Sequence, residues 1–137
     1  MASDKQINWD VSYSHIRFME KALVGHKCVA SFKRTRDIRF SIERTDDRSR
    51  VIAVLINRYT IGLADVIGVL AEFRNVNCIV APGDWCGYTR EAKDYGAQQG
   101  VAVFHASEFL GALWKDDPLT YVKIDLKGRP MYAYRSD

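Results

Sequence analysis

Cysteine and proline are scarce, with three of each, and no CxxC occurs. An odd cysteine count without paired spacing excludes a disulfide framework and suits a reducing compartment. Cys28 and Cys78 lie in apolar, strand-like runs and read as small buried hydrophobes. His26 and Cys28 could form half of a metal site, but no second pair with ligand spacing exists. No apolar run approaches the roughly 20 residues of a transmembrane helix. The opening stretch, Met1 to Asn8, is polar and lacks the apolar segment of a secretory signal. The expectation is a cytoplasmic protein without a membrane partner. Familiar catalytic motifs are also missing. No Gly-Lys-Ser/Thr follows the Gly83 to Gly87 loop, which excludes a P-loop. The serines have no His or Asp at nucleophile spacing, and nothing identifies a base for Cys86.

What remains is an ordinary globular composition. The 137 residues suit one domain, 1–137. A chain of this length buries roughly two-thirds of its unfolded surface, so its core needs no metal or disulfide. The net charge of +3 is mild, but its distribution is uneven. Between Lys27 and Arg58 stand Lys33, Arg34, Arg36, Arg39, Arg44, Arg48 and Arg50, against Asp37, Glu43, Asp46 and Asp47. Such a stretch suits a polyanion; a solvated β-face with ordinary surface arginines would read the same way.

Hydrophobic spacing predicts a helix over Val11 to Val24, through Ile16, Met19, Ala22 and Leu23, with Asp10 or Ser12 as its cap. Strands follow over Cys28 to Lys33, Ile38 to Arg44 and Val51 to Ile56; the last is apolar throughout, as a central strand would be. A helix over Leu63 to Phe73, a strand over Cys78 to Ala81 and a loop from Ala81 to Tyr88 come next. Thr89 caps a helix reaching Gln99, Val101 to Phe104 is a strand, and Ser107 caps a helix from Glu108 to Trp114. Leu119 to Leu126 and Met131 to Tyr134 flank Lys127-Gly128 as a C-terminal β-hairpin. The expected fold is α/β: a mixed central β-sheet flanked by helices over residues 9–115, plus a hairpin over 119–135.

Several local sequences fit one family. They are Ile79-Val80-Ala81, Gly87-Tyr88-Thr89-Arg90-Glu91-Ala92, Val101-Ala102-Val103-Phe104 and Glu108-Phe109-Leu110, with Phe18-Met19-Glu20 and Ile52 to Tyr59 upstream. In this order they resemble the Mrr-like branch of the PD-(D/E)XK, or restriction-endonuclease-like, family over about residues 12 to 114. The resemblance implies a nuclease fold whose active members hold Mg²⁺ with an acid on the second strand and a Glu or Gln on the third. A Lys lies two residues further on. Here Arg39, Leu55 and Asn57 fall at those positions, and none of them can do that work.

The implied protein is a catalytically inactive member that binds nucleic acid, DNA above all, through its former active-site face, without a cofactor. Its candidate contacts are Lys33, Arg34, Arg36, Arg39, Asn57, Arg58, Tyr59, Trp85, Tyr88, Thr89 and Arg90. The arginines would take phosphate by bidentate hydrogen bonds, and Trp85 and Tyr88 would stack on bases. Thr89 reads equally as a plain helix cap. Two rival readings stay open. One is a protein-interaction subunit or pseudo-enzyme, joined to a second copy or another protein through Tyr121, Met131, Tyr132 and Tyr134 of the hairpin. The other is a Mg²⁺-dependent nuclease with displaced acids, drawn from Glu20, Asp37 and Glu43, or from Asp65 and Glu72.

Overall fold

A computed structural model of the chain describes residues 8–135. Most of the polar opening stretch, residues 1–7, lies outside that range, as do residues 136–137. Among the described residues no helix is long and apolar enough to cross a membrane.

The fold is α/β with a mixed sheet. Helix α1 (Tyr13–Val24) starts at Ser12, whose hydroxyl accepts from the His15 N–H while His15 Nδ1 accepts from the Ser12 N–H. That reciprocal cap satisfies two amides that a helix start leaves open. Ile16, Met19 and Leu23 form its buried stripe. Strands β1 (Val29–Thr35), β2 (Arg39–Arg44) and β3 (Val51–Leu55) pair antiparallel. β5 (Cys78–Ala81) and β7 (Ala102–His105) add on parallel to β3, giving the order β1-β2-β3-β5-β7. Parallel neighbours need a crossover; α2 (Leu63–Glu72) and α3 (Arg90–Gln98) provide them. Just ahead of α2 and α3 respectively lie β4 (Thr60–Ile61) and β6 (Gly87–Tyr88), which pair parallel. α4 (Ala106–Ala112) follows β7. β3 is buried at every position, in keeping with its apolar sequence.

Register assigns the faces, because side chains alternate along a strand. Thr35 lies opposite Arg39, and Arg39 opposite Val54, so Lys33, Thr35, Arg39, Ser41 and Val54 share one face. Arg34, Phe40, Ala53 and Leu55 share the other. On the Phe40 face lie α1, whose Glu20 meets Arg34, and α4, since Arg44 donates to the Leu113 carbonyl just beyond it. On the Arg39 face lie α2, through the Arg39 bond to the Arg74 carbonyl, and α3, whose Gly96 sits against Val103.

Three expectations need correction. His105, not Ser107, caps α4: His105 Nδ1 accepts from the Glu108 N–H at 3.3 Å, and Glu108 Oε1 accepts from the His105 N–H at 3.0 Å. A ring nitrogen thus does the work usually given to a Ser or Asp oxygen. The C-terminal hairpin is much shorter than expected. Only β8 (Lys123–Ile124) pairs with β9 (Pro130–Met131), and Pro118–Thr120 forms a 3-10 turn. Tyr121 turns inward instead, edge-on to Phe104, and Tyr134 leaves the hairpin to bridge Tyr88 of β6, edge-on to its ring. Finally, β6 lies within the stretch expected as loop, Ala81 to Tyr88, since a two-residue strand leaves no alternation to read.

Candidate nucleic-acid interface

The β1–β2 turn builds a cationic cleft. Arg36 and Asp37 have φ of 48° and 65°, in the left-handed region that folds the chain back sharply. Arg36 is thereby held against the end of α2. Its guanidinium donates to the Glu72 carbonyl at 3.1 Å and carboxylate at 2.9 Å, and lies 4.5 Å over the Phe73 ring. Arg39 comes from the start of β2 and donates to the Arg74 carbonyl at 3.1 Å. Thr35, Arg36, Arg39, Glu72, Phe73 and Arg74 line an open cleft of about 360 Å³. Three guanidinium groups thus meet one carboxylate there. Among the described residues Arg39 and Arg74 enter no ion pair, nor does the exposed Lys33, one strand repeat from Thr35 on the same face.

Other sequence candidates have internal duties. Arg34 bridges Glu20 at 3.0 Å and Asp37 at 3.3 Å on the opposite face of the sheet. Arg58 pairs with Asp65 at 3.0 Å and Asp10 at 3.1 Å, and lies 5.2 Å from the centre of the Trp9 ring. Asn57 donates to the Asp10 carbonyl. Arg44, counted above in the basic stretch, is buried; it donates to the carbonyls of Ser49, Leu113, Lys115 and Asp116. Burial, with Arg48 nearby, holds its pKa below the usual arginine value.

Tyr88 is corrected as a stacking residue, because it is fully buried. Its hydroxyl donates to Glu108 Oε2 at 2.7 Å and accepts from the Ala133 N–H at 3.0 Å. Burial, first of all, pushes its pKa up. Beside it lies Lys93, whose amine donates to the Val103 carbonyl at 2.6 Å and faces the rings of Tyr88 and Phe104. Burial lowers that amine to a pKa of about 8. Thr89 acts as the cap of α3, its Oγ1 accepting from the Ala92 N–H at 3.0 Å. Arg90 is exposed, with its guanidinium 4.2 Å over the Tyr134 ring.

Tyr59 and Trp85 do reach solvent, at 60% and 68% exposure. A residue outside the sequence candidates joins them: Arg135, whose guanidinium lies 4.2 Å over the Tyr59 ring and donates to the Trp85 carbonyl. Arg74 was missed as well. Neither carries a local signal, since only the fold brings a residue after α2, or one near the C-terminus, to these places.

The acids are dispersed. Glu20 and Asp37 both hold Arg34, Glu43 holds Arg50, Asp65 holds Arg58 and Glu72 holds Arg36. Among the described residues no three of His, Cys, Asp and Glu come together as a metal site. His26, the other metal candidate, bonds the Cys28 N–H and the Leu110 carbonyl. Register also corrects the assignment of catalytic positions. Arg39 lies opposite Val54, and Leu55 bonds to Ile38, so Arg39 and Leu55 project to opposite faces. The two self-consistent sets are Arg39 with Val54 and Ile56, or Ile38 with Leu55 and Asn57. Neither contains a carboxylate. The thiols of Cys78 and Cys86 are buried, and burial pushes both pKa values up, the first to about 12, away from nucleophilic use. Comparison with family models, curated proteins and solved structures returned no match.

Proposed function

We propose that this chain is a catalytically inactive restriction-endonuclease-like domain that binds nucleic acid, DNA foremost, through the Arg39 face of its β1–β2 edge. The element order, with three antiparallel strands after a helix and then two parallel strands through crossovers, supports the family reading. The observation that carries the binding reading is the cleft of Arg36, Arg39 and Arg74. Guanidinium forks match phosphate oxygens in a bidentate way. Among the described residues Arg39 and Arg74 enter no ion pair, so binding a phosphate breaks none of theirs. Lys33 extends the footprint along β1 by about 7 Å, close to the spacing of successive phosphates.

Cleavage is not part of the reading. Both self-consistent strand positions lack acids, and the carboxylates nearest the sheet edge hold arginines. Incubation of the protein with labelled DNA and Mg²⁺ tests both halves of the proposal. Retarded but intact DNA, with retardation lost in Arg39→Glu, is the expected outcome. Cut strands, lost in Glu20→Gln or Glu43→Gln, would favour the displaced-acid nuclease. DNA that migrates freely at low salt would end the nucleic-acid reading.

A further inference from the structure

A second surface deepens that reading by naming the form of nucleic acid, and it rests on it. Tyr59 follows β3 and Trp85 follows β5, and the β4–β6 pairing ties their two loops together. The Gly87 N–H donates to the Tyr59 carbonyl at 2.8 Å, and Thr60 registers with Gly87. The C-terminal segment clamps this ribbon. Tyr88 N–H donates to the Ala133 carbonyl, and Arg135 N–H to the Tyr88 carbonyl. A Cβ on Gly87 would fall 2.2 Å from the Ala133 oxygen, so the close approach requires glycine there. The Arg135 guanidinium touches both aromatic residues, covering one face of the Tyr59 ring and bonding the Trp85 backbone. The Trp85 ring in turn packs flat on Gly83, where a Cβ would sit 2.4 Å from ring atoms.

Each ring is therefore backed on one side and open on the other, at 60% and 68% exposure. Large exposed aromatics normally sit on flexible loops; here hydrogen bonds and glycine contacts fix them. The Arg135 guanidinium lies between them, and the exposed Asp84 precedes Trp85 in the same loop. A fixed π-face beside a guanidinium favours a flat, electron-rich ring that is joined to an anion. A base inside a duplex has both faces stacked already, so only an unpaired base can use the site.

We infer that Tyr59, Trp85 and Arg135 form a stacking platform for unpaired bases, which makes single-stranded nucleic acid the preferred ligand. The phosphates of the strand would engage Arg39 and Arg74, and its bases the platform.

The test is an affinity comparison by fluorescence anisotropy at fixed salt. It uses a labelled 15-mer of deoxythymidine, an abasic strand of the same length and a blunt 15-base-pair duplex. Stacking contributes about 1–3 kcal/mol per base, or roughly 5- to 150-fold. The 15-mer should bind at least about 10-fold tighter than either control. Trp85→Ala and Tyr59→Ala should each reduce that advantage by about 5-fold or more, with duplex affinity and the far-ultraviolet circular dichroism unchanged. Arg39→Glu should weaken all three ligands. Equal affinity for the three, untouched by Trp85→Ala but reduced by Arg39→Glu, would overturn the platform and leave the phosphate cleft standing. Failure of all three to bind would remove both. A concentration-dependent mass abolished by Trp85→Ala, with no nucleic acid bound, would give the platform to a second copy of this chain instead.

Discussion

Arg44 and Tyr88 carry much of the buried polar chemistry, and the partners of neither are visible in the sequence. Arg44 is only 6% exposed and meets carbonyl oxygens rather than a carboxylate. Three of those carbonyls follow α4, where a helix end leaves acceptors unsatisfied and carries partial negative charge. One guanidinium therefore ties the end of α4 to the β2–β3 turn. Arg44→Met should lower stability by about 3 kcal/mol, because several buried acceptors lose their donor at once. Arg44→Lys should recover little, since a single ammonium cannot reproduce the planar fork. Urea midpoints of the three proteins measure this; a change within about 0.5 kcal/mol for Arg44→Met would contradict it.

Tyr88 offers a finer probe at the same scale. Tyr88→Phe deletes one oxygen, leaving Glu108 Oε2 without its donor and the Ala133 N–H without its acceptor. The expected loss is about 1–3 kcal/mol, with nucleic-acid affinity of the folded protein unchanged. Loss of affinity at unchanged stability would restore Tyr88 to the stacking set. These duties are not legible in the sequence. Alternation puts Arg44 in phase with Phe40 and Ile42 on the inward face, but only tertiary contacts supply its partners and those of Tyr88.

At the scale of elements, the free edge of β7 sets a pH dependence. Lys93 of α3 donates to the Val103 carbonyl on that strand, and its folded pKa of about 8 lies below the ordinary 10.5. Between those values the unfolded chain binds the proton that the folded chain has released. Stability therefore rises with pH across that window, and below pH 8 the folded state carries the full penalty of a buried ammonium. Burial raises the Tyr88 pKa, so its ionisation on unfolding works in the other direction above about pH 10. The clean interval is pH 8 to 10. Urea midpoints should climb there for the wild type, relative to a Lys93→Met control that keeps the apolar stem against Tyr88 and Phe104. A flat difference between the two across the interval would contradict the depressed amine.

Elements are also where the sequence is most readable. Alternation along Arg39–Arg44, the unbroken apolar run of β3 and the Thr89 cap each state a local preference that the fold obeys. β5 falls on the predicted residues Cys78 to Ala81. The register between β2 and β3 is not local information. It depends on how the Thr45 to Arg50 turn closes, through left-handed Asp46 and Asp47, and a shift of one residue exchanges the two faces. For that reason Arg39 was grouped with Leu55, when its actual neighbour is Val54.

For the whole molecule the uneven charge matters more than its sum. Of the basic residues between Lys27 and Arg58, Arg34, Arg36, Arg48, Arg50 and Arg58 enter ion pairs and Arg44 is buried. Lys33 and Arg39 remain on the Thr35 side of the β1–β2 edge, and Arg74 joins them from beyond the end of α2. The electrostatic footprint is therefore smaller than the stretch suggests, but it is concentrated on one face. Binding through a few phosphate contacts makes affinity fall linearly with salt on logarithmic axes, by about 0.7 per contact for single strands and about 0.9 for duplex. The most direct test of the account is the salt slope of DNA binding for the wild type, Arg39→Ala and Arg34→Ala. A wild-type slope of about two to four contacts, reduced by about one in Arg39→Ala and unchanged in Arg34→Ala, is the predicted result. A slope that Arg39→Ala leaves untouched, or one that Arg34→Ala reduces equally, would contradict the cleft as the site of binding.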